Sequence, residues 1–327
     1  MIEHLEQREN MALPDAVAAL SSLPGAPHSL LIDIDGDIAR EWSTTKIVTT
    51  PPYAGTVDDM MELFAIVSED YSPFAINVTF NEALAGVRPM RVVVGGDGSW
   101  WFGALGVAKY REYQSTATQP AAFVFAEHAG NHPRAVADAV SHEAGHAFGL
   151  LHTIDANGNP ATGDARLSPI MGFNTGSDRA TWSTGIDDNG LYQDDVQVLG
   201  SVLGFRPDDA PDLWATPIVV SGHVSGIVNS VMDRDQYSFY ASGPTRITLE
   251  LPPHNNLSAG LELRTTGASL LKRLDAVVDS TTIERTLAPG WYRLTIGTSP
   301  REAGNLGRYG ITIESGEAVA TLLEKKR

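Results

Sequence analysis

The chain has 327 residues, with 40 acidic and 23 basic side chains, a net charge of −17 at pH 7 and no cysteine. That length is sufficient for two domains with separate cores. The negative charge argues against nucleic acids and anionic membranes as partners, and the lack of cysteine excludes disulfides, a thiol nucleophile and cysteine zinc sites. The sequence contains no apolar stretch long enough to predict a membrane span.

Residues 1–28 are mixed in character and are interpreted as a short helix and a lead-in to the first domain. They lack the basic segment and the apolar segment that are typical of a signal peptide. A predicted strand follows at 29–34, and an apolar face predicts a helix at 56–68. Thr56 and Asp59 form a capping pattern at the start of this helix.

Further strands are predicted before the next helix, at 75–80, 91–94, 106–108 and 122–125. Residues 133–140 then predict a helix, with Pro133 suited to its first turn.

That helix continues into the pattern H-E-x-x-H-x-x-G-x-x-H, which starts at His142. His142 and His146 are one turn apart on the same helix face, so they can give two imidazole ligands to one Zn²⁺. Glu143 adjoins the first ligand, where its carboxylate can take a proton from a water molecule. Gly149 can adopt the left-handed conformation that ends a helix, after which the chain can bring His152 to the metal as a third ligand. Three protein ligands and one open position are typical of catalytic zinc sites.

A second motif, Ser-Pro-Ile-Met-Gly-Phe, occupies residues 168–173. The two motifs together resemble those of the metzincin zinc endopeptidases, in particular the secreted bacterial members. The resemblance implies that Met171 forms a hydrophobic floor beneath the histidines and is not a ligand. Phe173 stands where astacin-like and serralysin-like members have a tyrosine, so a tyrosine hydroxyl at this position is excluded from transition-state stabilisation.

The resemblance also implies an α+β catalytic domain over residues 29–207, with a mixed five-stranded sheet, two main helices and a C-terminal subdomain. The predicted order of strand, helix, four strands and helix agrees with this fold. By analogy, the strand around 103–109 would form the sheet edge above the cleft. A peptide substrate could add to that edge as a further strand.

A turn-rich linker follows near 204–211, and the sequence after it has the alternating pattern of strands. This pattern, punctuated by glycine and proline, predicts an all-β antiparallel sandwich over 212–317. A charged tail follows at 318–327.

Short segments of this second domain, at 221–224, 233–239 and 287–292, occur in an order that resembles the pre-peptidase C-terminal domain of secreted bacterial proteases. The resemblance implies an accessory role in secretion or substrate attachment, and an extracellular location for the chain.

Calcium, which needs oxygen ligands, is a second candidate metal. Asp233 and Asp235 are candidate donors, although turn capping is favoured over a cation site. The same preference applies to two other groups, Asp33, Asp35 and Asp37 and the loop 155–159. The local acidic pairs, Asp187-Asp188 and Asp208-Asp209, are interpreted as solvated surface.

The sequence thus predicts a monomeric zinc endopeptidase that acts on proteins or peptides, with Glu143 as general base and then general acid. One alternative is a secreted binding or adhesion protein with a vestigial protease domain, against which the intact Glu143 and His152 argue. The other is a zinc amidase that acts on cell-wall peptides, whose chemistry would be the same.

Overall fold

The computed structural model describes residues 13–39, 47–116, 119–174, 176–299 and 305–316, together with Val319. The interpretation of residues 1–12, and that of the charged tail apart from Val319, lies outside these residues. The chain divides into two compact units, Met1–Gly204 and Phe205–Arg327.

The first unit contains both helices and strands. Its helices are α1 (Asp15–Ala18), α2 (Val57–Asp70), α3 (Pro133–Phe148) and α4 (Asp195–Leu203). Its strands are β1 (His28–Asp33), β2 (Asp37–Ala39), β3 (Val48–Thr50), β4 (Ile76–Thr79), β5 (Met90–Val94), β6 (Gly106–Ala108), β7 (Ala121–Val124), β8 (Thr153–Ile154), β9 (Leu167–Pro169), β10 (Arg179–Thr181), β11 (Thr184–Asp187) and β12 (Tyr192–Asp194).

The main sheet of this unit has five strands in the order β4-β1-β5-β7-β6. The first four are parallel, and β6 pairs with β7 in the antiparallel sense at the sheet edge. β1 and β5 are buried along most of their length, as expected of parallel strands that are covered on both faces. α3 packs against β5, β6 and β7, and α2 packs against α3. The predicted mixed α+β character is therefore present.

The start of α2 is fixed by the predicted capping pattern. Thr56 Oγ1 accepts a hydrogen bond from the Asp59 N–H at 3.2 Å, and Asp59 Oδ2 accepts one from the Thr56 N–H at 2.8 Å. These two bonds satisfy backbone donors that the first turn of a helix leaves without partners.

The end of α2 is tied to α3 next to the histidine motif. The Ser141 hydroxyl donates to Asp70 Oδ2 at 2.5 Å, and the Tyr71 hydroxyl donates to the carbonyl oxygen of Ser141 at 3.0 Å. Trp182 Nε1 donates to the carbonyl oxygen of Asp70 at 2.7 Å. Because Ser141 directly precedes His142, this buried network fixes the part of α3 that carries the first histidine.

The second unit is made of two sheets. Its strands are β13 (Ile218–Val219), β14 (Gly222–Val228), β15 (Arg234–Ala241), β16 (Pro244–Glu250), β17 (Ala259–Thr265), β18 (Leu270–Val277), β19 (Thr281–Thr286), β20 (Gly290–Thr298) and β21 (Gly307–Ser315). One sheet has the order β13-β15-β20-β17-β18 and the other β14-β21-β16-β19. The hydroxyl groups of Tyr237 on β15 and Tyr309 on β21 are 2.7 Å apart, so the buried faces of the two sheets meet.

The antiparallel prediction is wrong for one strand of this sandwich. β13 pairs with β15 in the parallel sense, whereas the other strand pairs found among the described residues of the two sheets are antiparallel. β13 continues into β14 of the other sheet, so no hairpin with β15 imposes the antiparallel direction.

Within the described part of the chain, no helix is long and apolar enough to cross a bilayer.

Candidate metal centre

The end of α3 sets the course of the chain through the motif. Gly149 follows the helix with a φ angle of 119°, in the left-handed region where an L side chain is strained. Its N–H donates to the carbonyl oxygens of Gly145 and His146, both at 3.0 Å. The reversal brings His152 back beside the helix, where its Nε2 atom lies 3.2 Å from Nε2 of His146.

Each motif histidine is oriented by a hydrogen bond at its Nδ1 atom. The pairs are His142 with the Ile170 carbonyl oxygen at 2.7 Å, His146 with the Leu150 carbonyl oxygen at 2.8 Å, and His152 with Asp188 Oδ2 at 2.9 Å. Carbonyl and carboxylate oxygens only accept, so each Nδ1 carries the proton. In the neutral ring, Nε2 then carries a lone pair.

The three histidines fit a zinc ion. Their candidate ligand atoms lie within 4.8 Å of one another. Tetrahedral coordination with Zn–N distances of about 2.0–2.1 Å places ligand nitrogens about 3.3 Å apart, close to the 3.2 Å between Nε2 of His146 and His152. A cation between these nitrogens would be bound by their lone pairs, and three imidazoles are a donor set that suits zinc.

Burial keeps two of these rings neutral. It lowers the pKa of His142 to about 3, with further lowering by the neighbouring His146. It likewise lowers the pKa of His146 to about 4. Neutral imidazole is the form that binds a metal.

Glu143 is buried beside the histidines, and burial raises the pKa of its carboxyl to about 8. The edge strand β6 leaves room for this side chain because position 106 is glycine. A Cβ atom at Gly106 would lie 2.7 Å from both Cγ and Oε1 of Glu143. Gly106 could not be identified from the sequence, because nothing near it in the chain indicates that it faces α3.

Met171 is fully buried under α3. A Cβ atom at Gly145, between the two helical histidines, would lie 2.8 Å from Met171 Sδ. The residue before Met171 supplies the carbonyl oxygen that orients His142. The methionine segment therefore supports the helix by packing and orients one ring by its backbone.

The site opens into a cavity of about 960 Å³. The motif histidines and Glu143 line it, together with β6 on one side and residues of the segment after Met171 on another. Phe173 belongs to this wall and is about half exposed, at 51%. His132 also lines the cavity, at the start of α3.

The hairpin of β11 and β12 supplies supports that sequence reasoning missed. Asp188, interpreted as solvated surface, lies in its turn and orients His152. Gln193 is buried and bonds both backbone groups of Leu151: Oε1 accepts from N–H at 3.0 Å, and Nε2 donates to the carbonyl oxygen at 2.9 Å. Both contacts cross long stretches of chain, so no local pattern indicates them.

Two of the carboxylate groups considered for calcium have other partners. Arg91 pairs with both Asp33 and Asp37, at 2.8 Å for Asp37 Oδ1. Asp155 Oδ1 accepts from the backbone N–H groups of Asn157 at 2.8 Å and Asn159 at 2.9 Å, which is the turn capping favoured from the sequence.

The third group is different. Carboxylate oxygens of Asp208, Asp233 and Asp235 lie within 4.8 Å of one another in the second unit. Asp233 and Asp235 are buried, and each has an Oδ1 atom with no hydrogen-bond partner among the described residues. Burial, together with nearby carboxylates, raises the pKa of both. Asp233 also caps a turn, since its Oδ2 accepts from the Asn229 N–H at 2.8 Å.

Comparison with solved structures gives partial matches. The pre-peptidase C-terminal domain of collagenase from Bacillus anthracis matches 33% of this chain over 98% of its own length, with 17% identity and a TM-score of 0.26. PliG from Salmonella Typhimurium, a periplasmic inhibitor of g-type lysozyme, matches 30% of this chain over 97% of its own, with 20% identity and a TM-score of 0.22. Aeromonas hydrophila PliG matches 30% over 96%, with 18% identity and a TM-score of 0.23. No family model and no curated protein matches the chain.

Proposed function

We propose that the chain is a zinc-dependent endopeptidase of the metzincin type. His142, His146 and His152 would hold the metal, and Glu143 would move the proton. The observation that carries the proposal is the set of three oriented imidazoles, with their Nδ1 protons bound elsewhere, at the wall of a cavity that a buried glutamate shares.

The chemistry is hydrolysis of a peptide bond. A zinc ion at the three histidines would supply Lewis-acid activation of a water molecule and of the scissile carbonyl group. The charge of a zinc ion at the three histidines would favour the ionised form of Glu143, whose carboxylate would take the proton of the attacking water and return it to the leaving amine nitrogen. One C–N bond is broken, and a carboxylic acid and an amine are released. The Nδ1 hydrogen bonds keep the histidine rings from turning.

The edge strand supports a peptide as substrate. β6 lies at the edge of the main sheet and also lines the cavity, so an extended chain laid along it would pass the histidines and Glu143. This placement favours an endopeptidase over the alternative of a cell-wall amidase. A purely adhesive protein would have no need to bring a bound peptide past three histidines and a glutamate.

Casein hydrolysis by the zinc-loaded full chain tests the proposal, with Glu143→Gln as the variant and exposed Glu127→Gln as the matched control. We expect turnover by the parent and by Glu127→Gln. We expect none by Glu143→Gln, although it should bind one zinc. A peptidoglycan fragment assayed in parallel distinguishes an amidase. A folded, zinc-loaded parent that cleaves neither casein nor the fragment would contradict the enzyme, and a folded parent without zinc would contradict the metal site.

We propose in addition that Asp208, Asp233 and Asp235 bind calcium. Only oxygen donors are present, which is the ligand type that calcium prefers. A calcium ion between these carboxylates would offset the cost of burying their two Oδ1 atoms, which have no hydrogen-bond partner among the described residues.

Calcium binding to the full chain can be measured by calorimetry and by the shift of its melting temperature, with magnesium as the comparison cation. Asp235→Asn should abolish both signals, and the exposed control Asp279→Asn should retain them. Equal melting temperatures with calcium and with chelator in the parent would contradict the site.

An extracellular location and an accessory role of the second unit remain proposals that rest on its sequence resemblance. Recovery of the chain from the cell lysate, with none in the culture medium, would contradict the location.

A further inference from the structure

The lining of the cavity extends beyond the histidines to residues of the first half of α3 and of the segment after Met171, and we call this part of the cavity the side recess. The side recess is defined by Arg134, Asp138, Asn174, Asp178 and the small side chains of Ala135, Ala139 and Ala180. Its walls therefore combine small apolar side chains with three charged groups and one amide.

Asp138 lies in this recess at a fixed distance from the metal ligands. It precedes His142 by four residues on α3, so the two side chains project from the same helix face about 6 Å apart along the axis. A substrate side chain that starts near the scissile bond therefore has to be long to reach it.

Asn174 holds the Asp138 carboxylate in place. Its Nδ2 donates to Asp138 Oδ2 at 2.7 Å. Its own Oδ1 accepts from the N–H groups of Gly176 at 2.9 Å and Ser177 at 2.8 Å, which fixes the amide orientation. No other hydrogen-bond donor to Asp138 is found among the described residues. Its second oxygen, Oδ1, is thus available to a donor that enters the recess.

The charge balance of the recess favours a cation. Arg134 donates to the backbone carbonyl oxygen of Asp178, so it is anchored at the far wall. Burial raises the pKa of Asp138 by more than the Asn174 hydrogen bond and the charge of Arg134 lower it. The guanidinium therefore does not compensate the buried carboxylate fully. Asp178 adds a second, exposed carboxylate at the rim.

We infer that Asp138 is a specificity-determining residue, and that the side recess accepts a lysine or arginine side chain of a substrate residue adjacent to the scissile bond. The inference rests on the proposed endopeptidase function. Lysine and arginine combine a long apolar stem with a terminal cation. The alanine side chains would contact the stem, and Asp138 Oδ1 would accept the terminal hydrogen bond.

The test uses the zinc-loaded full chain and a set of quenched fluorescent peptides of otherwise identical sequence. Lysine, arginine, methionine or glutamate is placed on either side of the scissile bond, and kcat/KM is measured for each. At one of the two positions, we expect lysine and arginine to exceed methionine by about tenfold or more, which corresponds to about 1.4 kcal/mol. Glutamate should be the poorest substrate there.

For each variant, we compare one quantity with its value in the parent: the ratio of kcat/KM for the lysine peptide to kcat/KM for the methionine peptide. Asp138→Asn should bring the ratio close to one, and Asp138→Glu, which keeps the charge, should retain part of the preference. The exposed control Asp58→Asn should leave the ratio at its parental value.

The outcomes separate the inference from the function on which it rests. A parent that cleaves the methionine peptides as well as the lysine and arginine peptides overturns the inference but not the endopeptidase. So does an Asp138→Asn variant that keeps the parental ratio. A zinc-loaded parent that cleaves no peptide and no casein overturns both. The kcat/KM values of the parent for the set of peptides test the proposed preference even if a variant does not fold.

Discussion

The carboxylate of Asp188 lies 2.9 Å from Nδ1 of His152, although the two residues are 36 positions apart in the chain. Backbone carbonyl oxygens orient the other two motif histidines, so His152 is the motif histidine whose orientation depends on a side chain. Hydrogen bonds of this kind fix the tautomer of a metal ligand and raise its basicity.

Asp188→Ala should therefore weaken zinc binding by about 10- to 100-fold, the range typical of such supporting groups. Competition with a chromophoric chelator measures this affinity, and Asp188→Asn, which keeps an acceptor without the charge, should lie between Asp188→Ala and the parent. The exposed control Glu127→Ala should bind zinc like the parent. An unchanged affinity of Asp188→Ala would show that the contact does not support the ligand.

Gly106→Ala should reduce turnover while zinc remains bound. The added Cβ would lie 2.7 Å from Glu143 and 2.8 Å from the Phe123 carbonyl oxygen, so either the glutamate or the edge strand has to move. Overpacking of this kind costs about 1–3 kcal/mol in stability. We expect a lower melting temperature and a kcat reduced at least about tenfold, since a displaced general base loses much of its contribution. Gly267→Ala, whose Cβ would have no neighbour closer than 3.8 Å, is the matched control and should match the parent in both measurements.

Met171 should behave as a packing residue and not as a ligand. Met171→Leu nearly conserves volume and should cost less than about 1.5 kcal/mol, whereas Met171→Ala should cost about 2–5 kcal/mol because it leaves a cavity under α3. Chemical denaturation with excess zinc measures both losses. A folded Met171→Leu variant that binds no zinc would mean that the sulfur itself is a ligand.

The grouping of the three histidines could be predicted from the sequence because its geometry is local. The spacing of His142 and His146 needs only a helix, and the return of His152 needs only a residue such as Gly149 that tolerates a left-handed turn. The strands of the second unit could be predicted for the same reason, because an alternating pattern involves only residues that are close together in the chain.

What could not be predicted depends on contacts between distant segments. Asp188 and Gln193 reach the motif from a later hairpin, and an acidic pair in a chain of this charge has the same pattern whether it is solvated or bonded to a ligand. The same holds for Asp208, which lies close to Asp233 and Asp235 in space although the strands β13 and β14 separate them along the chain. β13 is too short to show its direction, since its two residues carry no pattern that distinguishes parallel from antiparallel pairing.

The last prediction concerns pH and the buried carboxyl of Asp195 at the start of α4. Burial raises its pKa to about 6, although Ser183 N–H at 3.0 Å and Gln193 Nε2 at 2.9 Å donate hydrogen bonds to it. Below about pH 4 the group is protonated in both the folded and the unfolded chain and does not affect the free energy of unfolding through ionisation. Between about pH 4 and 6 the unfolded chain releases this proton and the folded chain retains it, so stability falls as pH rises.

Asp195→Asn removes this ionisation. The free energy of unfolding of the parent minus that of Asp195→Asn should fall by up to about 3 kcal/mol between about pH 4 and 7, and should be level above that range. Both chains are measured by chemical denaturation in the presence of a chelator, so that zinc binding contributes to neither. The asparagine places an amide where the carboxyl accepted hydrogen bonds from Ser183 and Gln193, but that loss is the same at every pH and shifts the difference without changing its slope. A difference that is level across this range, or that rises with pH, would mean that Asp195 ionises in the folded protein as easily as in the unfolded chain.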